Sequence, residues 1–153
     1  MMRAWEFLAA LALFSMFAVL VIHWGDLPDR VPSHFNLAGE PDRWTGPYRL
    51  WFMPIFGALL YGVLTVLPRK GVRYNVPFGL DQSRPDVRSQ VEEMLTVLKA
   101  VILVGFAALH IQVVMIAMGL LRSPGPWMVA GLVASTGVTV TIYLLRLSKL
   151  RGA

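Results

Sequence analysis

Between Asp26 and Arg43 the chain gathers four carboxylates (Asp26, Asp29, Glu40, Asp42), two guanidinium groups (Arg30, Arg43), one imidazole (His34) and one side-chain amide (Asn36). Three kinds of chemistry are open to such a set. A zinc site needs three or more nitrogen, sulfur or carboxylate ligands in a closed geometry, and one histidine with no cysteine is a poor start. Nucleophilic catalysis would need Ser33 activated by His34, but neighbours on an extended chain point to opposite sides. What remains is a shaped surface. Either His34 and Asp42 close the segment by hydrogen bonds to backbone, or they face a ligand or partner. No paired carboxylates, metal-spaced histidines or nucleophile elbow occur elsewhere. The expectation is a protein that is not an enzyme, with no catalytic residue, no metal and no cofactor.

The frame that carries these groups is rigid. Within Leu27 to Pro47, prolines 28, 32, 41 and 47 fix the backbone at four points, while Asn36, Gly39 and Gly46, with Gly25 just before, supply turn positions. Val31, Phe35, Leu37, Trp44 and Tyr48 are apolar enough to fold the insert onto whatever lies beneath it, as a small cap.

What lies beneath is a membrane. Of 153 residues, 56% are hydrophobic and only 15% charged, and the mean hydropathy is +0.60, which does not describe a surface covered by water. Four apolar runs, about 4–24, 50–67, 97–121 and 127–147, are long enough to cross a bilayer. The first has Glu6 as its only formal charge. It is too long for a signal-peptide core, and His23-Trp24-Gly25-Asp26 replaces a small-residue cleavage site, so it reads as an anchor. Pro54 falls near the start of the second run, where a missing amide donor costs least. Ser83 before Arg84-Pro85 signals a helix start, and Val87, Val91, Met94, Leu95 and Leu98 continue as an amphipathic helix into the third run. Ser123-Pro124-Gly125-Pro126 is a tight turn that returns the fourth run beside the third.

The expected architecture is therefore all-α: a single membrane domain, 1–153, built as an integral four-helix bundle with a Pro/Gly-rich extracytoplasmic cap loop (25–49) between helices 1 and 2 and a cytoplasmic loop at 68–96. Orientation is set by the basic residues. Arg3, Arg69, Lys70, Arg73, Arg84, Arg88, Lys99, Arg146, Lys149 and Arg151 fall on one side, and only Arg30, Arg43, Arg49 and Arg122 on the other. That asymmetry puts both termini in the cytoplasm of a cell (plasma) membrane. The net charge of +5 then suits anionic lipid, and no nucleic-acid partner is expected. Gly131, Ser135 and Thr139 recur every four residues as a small-residue stripe fit for close helix approach, within the chain or in a homo-oligomer. His110, mid-span with Gln112 nearby, is costly in lipid unless bonded, and is read either as a packing residue or as lining for a solute or proton path.

The segment Leu27-Pro28, Pro32, His34-Phe35-Asn36, Gly39, Pro41-Asp42, between one hydrophobic helix and another containing Pro54, resembles the two-helix membrane domain at the start of SdpI-type proteins. Tyr74-Asn75-Val76-Pro77 and the helix from Pro85 to Lys99 are also similar to the region C-terminal to this domain in short members. The resemblance implies a bacterial or archaeal inner-membrane protein, resistance to a secreted peptide toxin, and capture of a cytoplasmic repressor. SdpI-type proteins carry a Gly-Ile-Arg-Thr-Pro-Trp-like turn in their second half, and nothing from Val97 to Ala153 matches it, so the fold and the outward motif are what carry over. On the matching positions the ligand-binding residues are His34, Phe35, Asn36, Gly39 and Asp42. The expected function is recognition, immunity or signalling, with an extracytoplasmic peptide or envelope ligand and a cytoplasmic protein partner. The alternative is a small transporter or transporter accessory with a path near His110.

Overall fold

The computed structural model describes residues 2–36, 38–69, 75–125 and 127–152; Leu37, Lys70, Arg73, Tyr74 and Pro126 lie outside them. Four helices carry the architecture: α1 (Met2–His23), α2 (Phe52–Arg69), α3 (Pro85–Ala117) and α4 (Trp127–Lys149). All four are long and apolar enough to cross a membrane by length and composition. The protein is a mostly helical four-helix membrane bundle, and the lipid bilayer is its principal surroundings. The cap between α1 and α2 is not a plain loop. It contains a two-stranded antiparallel hairpin, β1 (Val31–Phe35) and β2 (Pro41–Thr45).

Helix limits have local causes. Pro85 opens α3, where its missing N–H would be unpaired anyway, and Arg84 before it is extended. Ser83 does not cap the helix as its position suggested; its hydroxyl and amide both bond the Asp81 carboxylate, at 2.6 and 2.8 Å. At the other end α3 stops at Ala117, four residues before the apolar run ends. Gly119 adopts φ +75, and the Leu120 and Gly119 amides donate back to the Met115 and Ile116 carbonyls at 2.9 and 3.0 Å, closing the orphan acceptors of the last turn. A residue with a Cβ would pay for that left-handed conformation. The Gly125 amide then donates to the Gln112 side-chain oxygen at 3.2 Å, so Gln112 holds the start of α4 and does not serve His110.

Helix α3 is the axis. It contacts α1, α2, α4 and β1. Its face of Ala100, Leu103 and Ala107 meets Ala9, Ala12 and Met16 of α1 in one buried cluster, and small side chains on both helices let the backbones come close. Above it Leu20, Val31 and Leu50 pack on Val113, Val114 and Ala117, which seats the hairpin on the bundle. Towards α4 the close approach is made by Gly105, over which Leu132 lies so tightly that a Cβ would collide with its side chain. The stripe read from sequence is not an interface within the chain: a Cβ on Gly131 would meet nothing, Ser135 is exposed, and only Thr139 is buried.

One polar contact binds three helices. Lys99 of α3 is wholly buried, and its Nζ donates to Glu6 Oε1 and Oε2 of α1 at 2.7 and 2.8 Å and to Thr65 Oγ1 of α2 at 2.8 Å. The Tyr61 ring lies 4.7 Å away as a third neighbouring side chain. Glu6 keeps 34% of its side chain exposed, so the two partners are not equivalent. Removing the carboxylate strands an ammonium with no route to water, whereas removing the ammonium leaves a carboxylate that water still reaches. Glu6→Ala is expected to cost about 3–5 kcal/mol. Lys99→Met is expected to cost clearly less, and the double substitution should recover most of the Glu6→Ala loss. Thermal unfolding in detergent checks this; equal losses for the two single variants would refute the asymmetry.

Candidate functional site

The hairpin builds its surface from an irregular register. Val31 pairs with Thr45 and Pro32 with Trp44, but His34 then pairs with Arg43 and Phe35 with Pro41, leaving Ser33 on β1 and Asp42 on β2 as extra residues. A bulge of this kind re-aims the side chains around it. Strict alternation is lost: Val31 and Pro32 are both buried, and Ser33 and His34 are both exposed. Pro32 and Pro41 lack the amide donor that a regular ladder uses, which suits a bulged, two-stranded edge.

The five residues expected to bind a ligand divide into two roles. Asn36 organises the turn. Its side-chain oxygen accepts the Ala38 and Glu40 amides at 2.9 Å each, its Nδ2 donates to Glu40 Oε2 at 3.2 Å, and its own amide donates to the Glu40 carbonyl at 2.9 Å. Gly39 completes that turn at φ +79, and a Cβ there would sit 3.4 Å from the Pro124 carbonyl oxygen, so the hairpin tip rests beside the α3–α4 turn. Phe35 is half-buried against the cluster around Val31 and Leu50. These three shape and seat the hairpin.

His34 and Asp42 are the outward pair. His34 Nδ1 lies 2.6 Å from Asp42 Oδ1, with side chains 56% and 41% exposed. The bond joins the two side chains across the strands, not either side chain to backbone as the loop-closing reading had it. An ionised carboxylate only accepts, so Nδ1 is the donor and the Nε2 edge of the ring is left for other contacts. Further along the chain, Trp44 near the end of β2 and Tyr48 just after it project, half and two-thirds exposed. The Tyr48 ring folds over Gly46, whose Cβ would otherwise fall 2.7 Å from the ring, so this aromatic is held in place by a missing side chain. Below, Trp51 packs between Phe17 and Trp24, with ring centroids 6.1 and 5.7 Å away, in the manner of a headgroup-level aromatic belt. Among the described residues no three histidine, aspartate or glutamate side chains converge as metal ligands would.

His110 is buried in the α1–α3 interface near Met16, and neither ring nitrogen completes a hydrogen bond among the described residues. The contact that sequence reasoning missed is the Glu6–Lys99–Thr65 cluster. The signal was present as two lone opposite charges, each a turn or so from the same end of its span, but 93 positions apart.

A family model described as a domain of unknown function (DUF1648) matches residues 11–58, from within α1 through the hairpin into the first turns of α2. All five expected ligand-binding residues fall inside that match, while Glu6, Lys99 and His110 fall outside it. Nothing matches among curated proteins or among solved structures.

Because Asn36 satisfies two backbone donors through one oxygen, Asn36→Ala is expected to free the Ala38 and Glu40 amides, at a local cost of about 1–2 kcal/mol. Hydrogen exchange should quicken by about tenfold at those two amides and stay unchanged in α1 and α3. Unaltered exchange at Ala38 and Glu40 would mean the turn stands without Asn36.

Proposed function

We propose that the protein is an SdpI-like, non-enzymatic recognition module of the plasma membrane, with both termini cytoplasmic and the outward face of its hairpin offered to an extracytoplasmic peptide or envelope ligand. The observation that carries this reading is the His34–Asp42 pair, 2.6 Å apart and open to solvent on strands braced at both ends. With Nδ1 engaged, the ring orientation is set before a ligand arrives, so little ordering entropy is lost on binding. Trp44 and Tyr48 add rigid amphipathic contact area of the sort that anchors protein and peptide interfaces. The match over residues 11–58 agrees with the motif likeness to SdpI-type proteins. That likeness supports immunity to a secreted peptide, and signalling to a cytoplasmic protein through the basic segment 68–96, which includes the first turns of α3.

The chain has no cysteine, so single cysteines report sidedness cleanly. An impermeant maleimide applied to intact cells is expected to label Ser33→Cys and not Ser83→Cys; the reverse pattern would invert the orientation. A photo-reactive phenylalanine at position 48 should cross-link to an extracytoplasmic peptide or envelope component. That adduct should disappear in His34→Ala and Asp42→Ala at normal membrane abundance, because an exposed pair contributes no more than about 1 kcal/mol to stability. Variants that vanish from the membrane, or adducts that persist in both, would leave the hairpin a purely structural cap.

A second reading, transport along a path near His110, draws on the buried imidazole, whose ring nitrogens complete no hydrogen bond among the described residues. It requires solute or proton flux in reconstituted vesicles that is lost in His110→Leu, and absence of flux removes it.

A further inference from the structure

We propose that the cleft at the end of the bundle carrying both termini is a site for an aminophospholipid headgroup, a phosphodiester joined to a primary ammonium. The cleft has a volume of about 570 Å³ and lies between the first turns of α1, the last turns of α2 and the part of α3 that runs past them. That is within the range of small-ligand sites. Its depth suits a headgroup. Glu6 is four residues from the start of α1 and Thr65 four from the end of α2, or about 6 Å inside each helix end at about 1.5 Å per residue. Helices of 22 and 18 residues nearly match a hydrocarbon core of about 30 Å, so their ends lie among the headgroups.

The charges in the cleft are of both signs, and they are arranged. Glu6 is pinned on Lys99, and Arg88 Nε donates to Glu92 Oε1 at 2.8 Å. Both carboxylates stay about one-third exposed, at 34% and 32%. Arg3 stands exposed at the rim with no ion pair among the described residues, next to the positive end of the α1 dipole. A purely anionic ligand would gain Arg3 but meet two carboxylates, and a purely cationic one the opposite. A zwitterion satisfies both, with phosphate on the Arg3 guanidinium and ammonium on Glu92 and the open side of Glu6. Met2, Leu64 and Pro68 add apolar wall, where the glycerol and first acyl carbons would lie. That wall favours a lipid over a free phosphoethanolamine.

Native mass spectrometry and melting of the purified chain in detergent test the proposal, with phosphatidylethanolamine, phosphatidylcholine, phosphatidylglycerol and soluble phosphoethanolamine added separately. Phosphatidylethanolamine is expected to be retained and to raise the melting temperature. The choline lipid has no N–H donor and the glycerol lipid no cation, so each should bind at least about tenfold more weakly, as should the soluble headgroup. Arg3→Ala and Glu92→Gln should each weaken phosphatidylethanolamine about tenfold, their lipid-free melting reporting on the fold separately, while Arg122→Ala at the opposite end should not. Equal response to all three lipids, preference for phosphatidylglycerol, equal binding of soluble phosphoethanolamine, or unchanged affinity in both cleft variants would each overturn it.

Discussion

A charge shut away from water must be matched or it will not stay there, and that constraint organises the lower half of this molecule. The Lys99 ammonium has no access to solvent and draws its three hydrogen bonds from two other helices. Lipid supplies little hydrophobic force between helices, since tails are as apolar as leucine, so a polar contact of fixed geometry carries unusual weight in choosing among arrangements. Van der Waals packing of Ala9, Ala12, Ala100 and Ala107 would tolerate sliding of α1 along α3 by a turn. The carboxylate–ammonium–hydroxyl contact would not, because a one-turn slip moves Glu6 by about 5.4 Å, beyond hydrogen-bond reach.

The upper half uses a different device. There the bundle buries Leu20, Val31 and Leu50 against Val113, Val114 and Ala117, and the hairpin is seated by apolar contact while its own turn is closed by Asn36. At the lower end α3 runs on past α1 and α2, and Val87 and Val91 meet Leu147 of α4. The Arg84 guanidinium donates to the Leu150 carbonyl at 3.3 Å, and Arg146 approaches Glu93 at 3.8 Å. One helix thus touches the hairpin cap, the buried ion pair and the polar clasp with α4. These are three environments of falling apolarity along a single rigid rod.

Much of this was legible beforehand. Hydropathy gave the four spans, and Pro85 with the spacing of Val87, Val91 and Leu95 gave the unbroken α3. Proline and glycine spacing marked the cap as shaped. The strands were not read, because each is five residues long and carries a proline, and the bulge at Ser33 destroys the alternation that would have betrayed them. The His34–Asp42 bond was missed as a pair because cross-strand partners depend on a register that sequence does not print. Gly131 and Ser135 had the right spacing for a helix interface. Which face of α4 turns inward was decided instead by Leu132 fitting over Gly105, a match of one large side chain to one absent one.

The segment matched as a domain, residues 11–58, has a further property that stems from where its inner surface lies. Met16, Leu20, Val31 and Leu50 all bury themselves on α3, which is outside the match, and the Gly39 tip of the hairpin lies against Pro124, also outside it. The unit is therefore half of a socket: two helices and a cap whose shape is complete only against a companion helix. Wherever such a segment is grafted, its host has to provide that helix, with small residues at mid-depth and an aliphatic shoulder beneath the cap. The rest of the host is free to differ.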